Sequence, residues 1–246
     1  IKHWPKMLIE AFPMGLSLII LSIFHSFDIV MLGFMKSNDH VGLYNVGSRI
    51  MLVLLGFTAV LSRVIFPVIS RYYKDSKDKL ENLIENAFKY FSAIAWPLGV
   101  GGVVLAKPII LLFFGAKYLN SIVVFQILIW AVVASLLNIV FAQSALACGQ
   151  QKKFMKGIFL GAMINITLNI LLIPRFEIKG AAFATVISDF AFLFYMIKTF
   201  KLFSKMFVFH NIHGPIFASL IMGIFLFWLK NENLFFLLLL GLFIYF

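Results

Sequence analysis

Of the charged side chains inside stretches that are otherwise apolar, three matter first: Asp28, Arg49 and Arg63. A carboxylate or guanidinium at mid-membrane costs roughly 2.5–3.5 kcal/mol on insertion scales, so each needs a partner or a purpose. At about 1.5 Å per residue, Asp28 and Arg49 each fall about 10 Å below the same end of two consecutive apolar runs. Antiparallel neighbours at that depth can pair. Mutual neutralisation is one reading of such a pair, and a site for an anionic group is the other. Arg63 follows Arg49 by about 21 Å along one helix and within about 40° of the same face. Two guanidiniums on one face, one in each half of the membrane, suit the passage of a phosphate, which they bind bidentately while staying charged. The plainer alternative for Arg63 is that it snorkels to the nearer interface.

Four further polar residues belong with these. His25 precedes Asp28 by about one turn, a spacing that lets the two share a proton, although a packed hydrogen-bonding histidine is the simpler reading. Asn165 and Asn169 are one turn apart, where amides glue helices together or line a cavity. Asp189 has only Ser188 beside it and is expected to face a water-filled cavity. Nucleotide and catalytic signatures are missing: there is no GxGxxG, P-loop, HExxH or GxSxG, and no paired acidic metal motif. The chain is therefore read as a non-enzyme without metal or cofactor. Its one cysteine, Cys148, cannot form a disulfide within the chain.

These residues must be held by membrane helices. The 246 residues are 62% hydrophobic and only 13% charged, with a mean hydropathy of +1.01; a soluble domain is about half apolar and a quarter charged. A spanning helix takes about 20 apolar residues, which predicts spans near 8–35, 41–70, 87–106, 121–147, 155–174, 179–200 and 214–230, with an eighth from 233 to the end. The fold class is all-α, a polytopic bundle of about eight helices. Leu54–Val60 and Phe235–Leu240 lack the alternation of barrel strands. Ile1 in place of Met, and an end inside an apolar run, lead us to expect a fragment of a longer protein.

Loop charges suggest an orientation. Lys2, Lys6, Arg71, Lys74, Lys152, Lys153 and others cluster on the side of the N-terminus, and fewer basic residues, among them Lys36 and Arg175, lie opposite. By the positive-inside rule the N-terminus is cytoplasmic. This asymmetry also accounts for most of the net charge of +11 without nucleic acid. The stretch 71–85 reads as a solvated amphipathic connector, and 108–118 as a short interfacial helical turn ended by Gly115. Prolines beside small residues (Pro13 with Gly15, Pro97 with Gly99, Pro215 with Gly214) mark helices able to kink.

Five segments in this order resemble one family. They are FDIVMLGFMKSNDHVGLYNVGSRI at 27–50, FPVISRYYKD at 66–75, KPIILLFFGAKY at 107–118, ALACGQQKK at 145–153 and NITLNILLIPRFEIKGAAFATVISD at 165–189. Together they resemble the polysaccharide flippases of the multidrug/oligosaccharidyl-lipid/polysaccharide exporter superfamily, in particular Wzx-like O-antigen flippases. The resemblance implies a fourteen-helix protein of two six-helix lobes around a cavity. Residues 1–205 would be the C-terminal transport lobe, its N-terminal lobe missing here, and 206–246 the accessory helices, truncated. It further implies alternating access by a monomer in the bacterial inner membrane, carrying undecaprenyl-pyrophosphate-linked oligosaccharide among membrane lipids.

Arg49 matches a cavity arginine of the related peptidoglycan-precursor flippases, with Asn45 beside it in the same segment. Those relatives tend to carry a carboxylate one turn later, where this chain has Leu52. Asp28 matches a recurrent acidic position, so a substrate or gating role is implied, with Asp28 holding Arg49 in the empty state. A cation-coupled drug exporter of the same superfamily would favour acidic cavity residues, and Asp28 and Asp189 leave that reading open. A membrane-embedded polymerase or ligase would need a large outer loop, and the outer connections here are too short.

Overall fold

The computed structural model describes residues 4–199, 205–229 and 234–245, with several side chains before Ser26 outside the description. The described residues are helical and contain no strand. The order is α1 (Trp4–Met35), α2 (Asn38–Asp75), α3 (Lys77–Val104), α4 (Ala106–Phe114), a 3-10 turn (Ala116–Tyr118), α5 (Ser121–Ala147), α6 (Gln151–Thr199), α7 (Lys205–Trp228) and α8 (Leu234–Tyr245). α2, α3, α5 and α6 are each long and apolar enough to cross a membrane. The chain is a multi-pass membrane protein.

α5 is the centre of the bundle. Its most apolar window is 67% buried, against 11% for that of α2, so α5 is enclosed by protein and α2 is largely uncovered. α2, α3 and α6 pack along α5, α1 packs along α6, α7 lies on α3, and α8 leans on α7. Lipid gives no hydrophobic drive for helix association, so close approach through small residues matters. A Cβ at Gly47 of α2 would sit 2.8 Å from Val124, and one at Gly102 of α3 would sit 2.6 Å from Ile129. Glycine at both positions lets α2 and α3 come up against α5. Edge-to-face pairs of Phe88 with Phe141 at 5.5 Å and of Trp96 with Trp130 at 6.0 Å fill the α3–α5 seam.

Two connections differ from the expected ones. The stretch 71–85 is no separate connector: α2 runs on to Asp75, α3 starts at Lys77, and Ser76 alone, extended at φ −164° and ψ 133°, breaks them. Its helical spacing is real, because Leu80, Ile84 and Phe88 recur at four-residue steps and are buried. The spans at 155–174 and 179–200 join into α6, bent at Glu177 (φ 53°, ψ −130°). A Cβ at Gly180 would stand 2.5 Å from the Leu172 carbonyl oxygen, so only glycine lets the second arm of α6 fold this close to the first. At the end of α4, Gly115 (φ 83°) closes the helix as expected, its N–H donating to the Ile110 and Leu111 carbonyls. Pro97 and Pro215 lie inside α3 and α7; the side chain of Pro13 lies outside the described residues.

Candidate functional site

Asp28 is 3% exposed on α1, and four neutral donors from two other helices converge on it. Tyr44 of α2 donates its hydroxyl to Oδ2 at 2.8 Å, and Thr185 of α6 donates to the same oxygen at 2.5 Å. Asn169 and Asn165, on the first arm of α6, donate their amides to Oδ1 at 2.6 and 3.1 Å. Asn169 also donates to Asn165 Oδ1 at 3.0 Å. All five side chains are buried. The sequence places the amides one turn apart, so both face α1, and the bend at Glu177 returns the second arm so that Thr185 meets the same carboxylate.

Among the described residues the site lacks a fixed cation. No lysine or arginine pairs with Asp28 among the described residues, and a carboxylate buried without a counter-charge is costly unless a proton or a cation meets it. Asn169 Oδ1 is buried without a hydrogen-bond partner, an acceptor left over beside the carboxylate. One carboxylate amid amide and hydroxyl oxygens is the donor chemistry of a hard cation or a proton. No group of three or more His, Cys, Asp and Glu that could hold a metal occurs among the described residues.

Several expectations change here. Asp28 and Arg49 do not pair: the carboxylate points into the α1–α2–α6 junction, whereas Arg49 is exposed on α2 and makes no ion pair among the described residues. Five residues separate Tyr44 from Arg49, about 140° around the helix, so burying one turns the other outward. Asn165 and Asn169 join the Asp28 site rather than a separate seam. Asp189 follows Thr185 by one turn, is half-buried, and lies within electrostatic range of Asp28 and Tyr44. Its presence beside Asp28 is compatible with an aqueous approach to the site. The side chain of His25 lies outside the described residues.

Arg49 and Arg63 do share a face. With Asn45, Leu52, Val53, Phe57, Val60 and Val64 they form one stripe of α2. All are exposed except the half-buried Asn45. Sequence reasoning missed Tyr44 and Thr185, whose hydroxyls ride on residues that also pass for apolar packing. Their signal was position: Tyr44 lies in the same segment as Arg49, and Thr185 lies one turn before Asp189.

A second contact ties the same helices at the opposite membrane face from the N-terminus. Glu177 receives Lys36 Nζ at 3.4 Å and lies 3.2 Å from His40 Nε2, and Ser37 Oγ bonds His40 Nδ1 at 2.8 Å. The Lys36 and His40 contacts hold the Glu177 carboxyl below the usual carboxylate range. A depressed acid contributes above its unfolded-state pKa, about 4.3 for glutamate, and loses the contribution as pH falls through its lower folded value. Glu177→Gln should therefore lower stability slightly at neutral pH and converge on wild type as pH falls below about 4.3, as read by unfolding in detergent from pH 3 to 7. Glu177 also adopts a backbone conformation suited to glycine, so Glu177→Gly should melt about 2–4 °C above Glu177→Ala.

Comparison with known proteins shows what the chain resembles. The polysaccharide biosynthesis protein family matches residues 2–123. The probable low-salt glycan biosynthesis flippase Agl15 of Haloferax volcanii is 26% identical over 162 residues, 65% of this chain and 34% of that protein. The probable flippase AglR of the same organism is 30% identical over 167 residues, again 65% of this chain and 34% of its own length. The inward-closed lipid II flippase MurJ superposes with a TM-score of 0.83 at 20% identity, covering 100% of this chain and 54% of that one. Over these regions the chain is similar to polysaccharide flippases, and it shares the fold of the flippase MurJ. It spans about a third of the length of the flippases it matches and about half of the solved one.

Proposed function

We propose that this chain forms the C-terminal lobe of a flippase that moves lipid-linked oligosaccharides across a cell membrane by alternating access. Residues 206–246 are accessory helices beside the transport lobe, the partner lobe packs against the exposed stripe of α2, and the protein acts as a monomer. The observation that carries this reading is Arg49 and Arg63 on one uncovered apolar face, neither paired among the described residues. Cations so placed attract an anionic headgroup and repel the cationic substrates of a drug exporter. The two arginines bind the phosphate that joins sugar to lipid, and Asn45 hydrogen-bonds beside Arg49.

The Asp28 site is the coupling site. Asp28, Asn165, Asn169 and Thr185 hold a proton or a small hard cation, which supplies the positive charge missing from the site. His25, one turn before Asp28 in the sequence, exchanges a proton with it in this reading, and Asp189 leads from the cavity towards Asp28. The N-terminal end of α1 faces the cytoplasm. In a bacterial inner membrane the carrier would be undecaprenyl pyrophosphate and the product an O-antigen or capsule.

The test uses a host deleted for the gene that encodes this chain. Lipid-linked repeat units should accumulate in the cytoplasmic leaflet and clear when the intact gene is returned. An unchanged pool would overturn the substrate assignment and turn attention to drug export.

A further inference from the structure

We infer that a groove between α1 and α6 binds one acyl chain of an anionic phospholipid, with the lipid phosphate on Lys156. The groove, about 390 Å³, is walled by Leu16 and Ile20 of α1, by Phe159 and Met163 on the first arm of α6, and by Tyr195 on the second. Its walls are apolar apart from Lys156 and the Tyr195 hydroxyl. Phe159 and Met163 are 55% and 47% exposed, so the groove is open along its length.

Depth and charge decide the occupant. Lys156 lies five residues from the start of α6, at the level where a lysine reaches the headgroups. From there to Met163 the groove runs about 10 Å, most of the roughly 15 Å of one hydrocarbon leaflet. A single acyl chain fits that depth; a carrier tail long enough to cross both leaflets would run past its end. Lys156 lines the groove, is exposed and makes no ion pair among the described residues, so its ammonium can meet a phosphate; Lys152, one turn before it, is also exposed but is not part of the groove lining. An acyl chain gains little by leaving bulk lipid for another apolar surface, so the groove supplies shape and the lysine supplies the preference. This inference rests on the membrane-spanning fold and not on the transport reading.

The test is native mass spectrometry of the purified chain in maltoside micelles, with palmitoyl-oleoyl phosphatidylglycerol or phosphatidylcholine added at equal concentration. Retained lipid should favour the anionic form about five-fold, the ratio given by one lysine near a membrane surface. Lys156→Gln should bring the ratio to about one, and Lys156→Arg should keep it. Met163→Trp, which fills the open groove, should lower retention of both lipids. The exposed Lys153→Gln is the control and should leave the ratio unchanged. Equal retention by wild type, an unaltered ratio in Lys156→Gln, or an equal loss in Lys153→Gln would overturn the site, the last by showing general surface attraction.

Discussion

Asp28→Asn should abolish clearance of lipid-linked repeat units, at least 100-fold, while the protein stays folded and in the membrane. Asparagine keeps the shape and one acceptor oxygen, so Tyr44 and Thr185 can retain a partner, but it has no charge to bind a proton or cation. Asp28→Ala should behave differently, because it strips the acceptor from four buried donors at once. Each buried donor left without a partner costs about 1–3 kcal/mol, so the alanine variant should unfold or be degraded. Membrane abundance and detergent melting, measured beside clearance, separate the two cases. An Asp28→Asn protein that transports normally would remove this site from the coupling mechanism.

Arg49→Ala should be comparably severe for a different reason. The side chain is exposed on the lobe and holds no described residue in place, so its loss should leave Tm within a degree or two of wild type. Clearance should nevertheless fall about 100-fold, because a charge-assisted bidentate contact to the phosphate is lost. Arg49→Lys should recover part of the activity, since it restores the charge without the planar fork. Arg63→Ala should cost less if its guanidinium meets the headgroup nearer an interface. Normal export by stably inserted Arg49→Ala would end the phosphate-binding role.

Helix positions were legible in the sequence wherever a long apolar run met a clear breaker. The run 121–147 is α5 residue for residue, and Gly115 ends α4 where expected. The joint at Ser76 was not legible, because the charged residues on both sides look like solvent-exposed loop while Leu80 and Ile84 bury a narrow stripe beneath them. The arms of α6 read as two spans, and only the backbone at Glu177 and the crowding at Gly180 reveal how they stay together.

The candidate site was half visible. Burying a carboxylate in lipid is costly enough to single out Asp28 and the two asparagines from residue type alone. Their grouping depends on how α1 and α6 rotate about their axes, which hydropathy does not fix, and the available arginine on the neighbouring run invited the wrong partner. Arg49 and Arg63 were correctly placed on one face because fourteen residues is close to four whole turns, a property of a single helix needing no tertiary information.

The single-residue break at Ser76 gives α2 a mechanical role. At 38 residues α2 is about 57 Å long, whereas a whole bilayer with its headgroups is about 40–45 Å thick. The excess is carried beyond the lipid with the first turns of α3, joined through one extended residue. A tilt of about 10° in α2 would sweep that corner through on the order of 10 Å. The corner is thus a pointer that magnifies small rotations within the membrane, and a pair of distance labels there would register the lobe's motion more readily than labels on any buried helix.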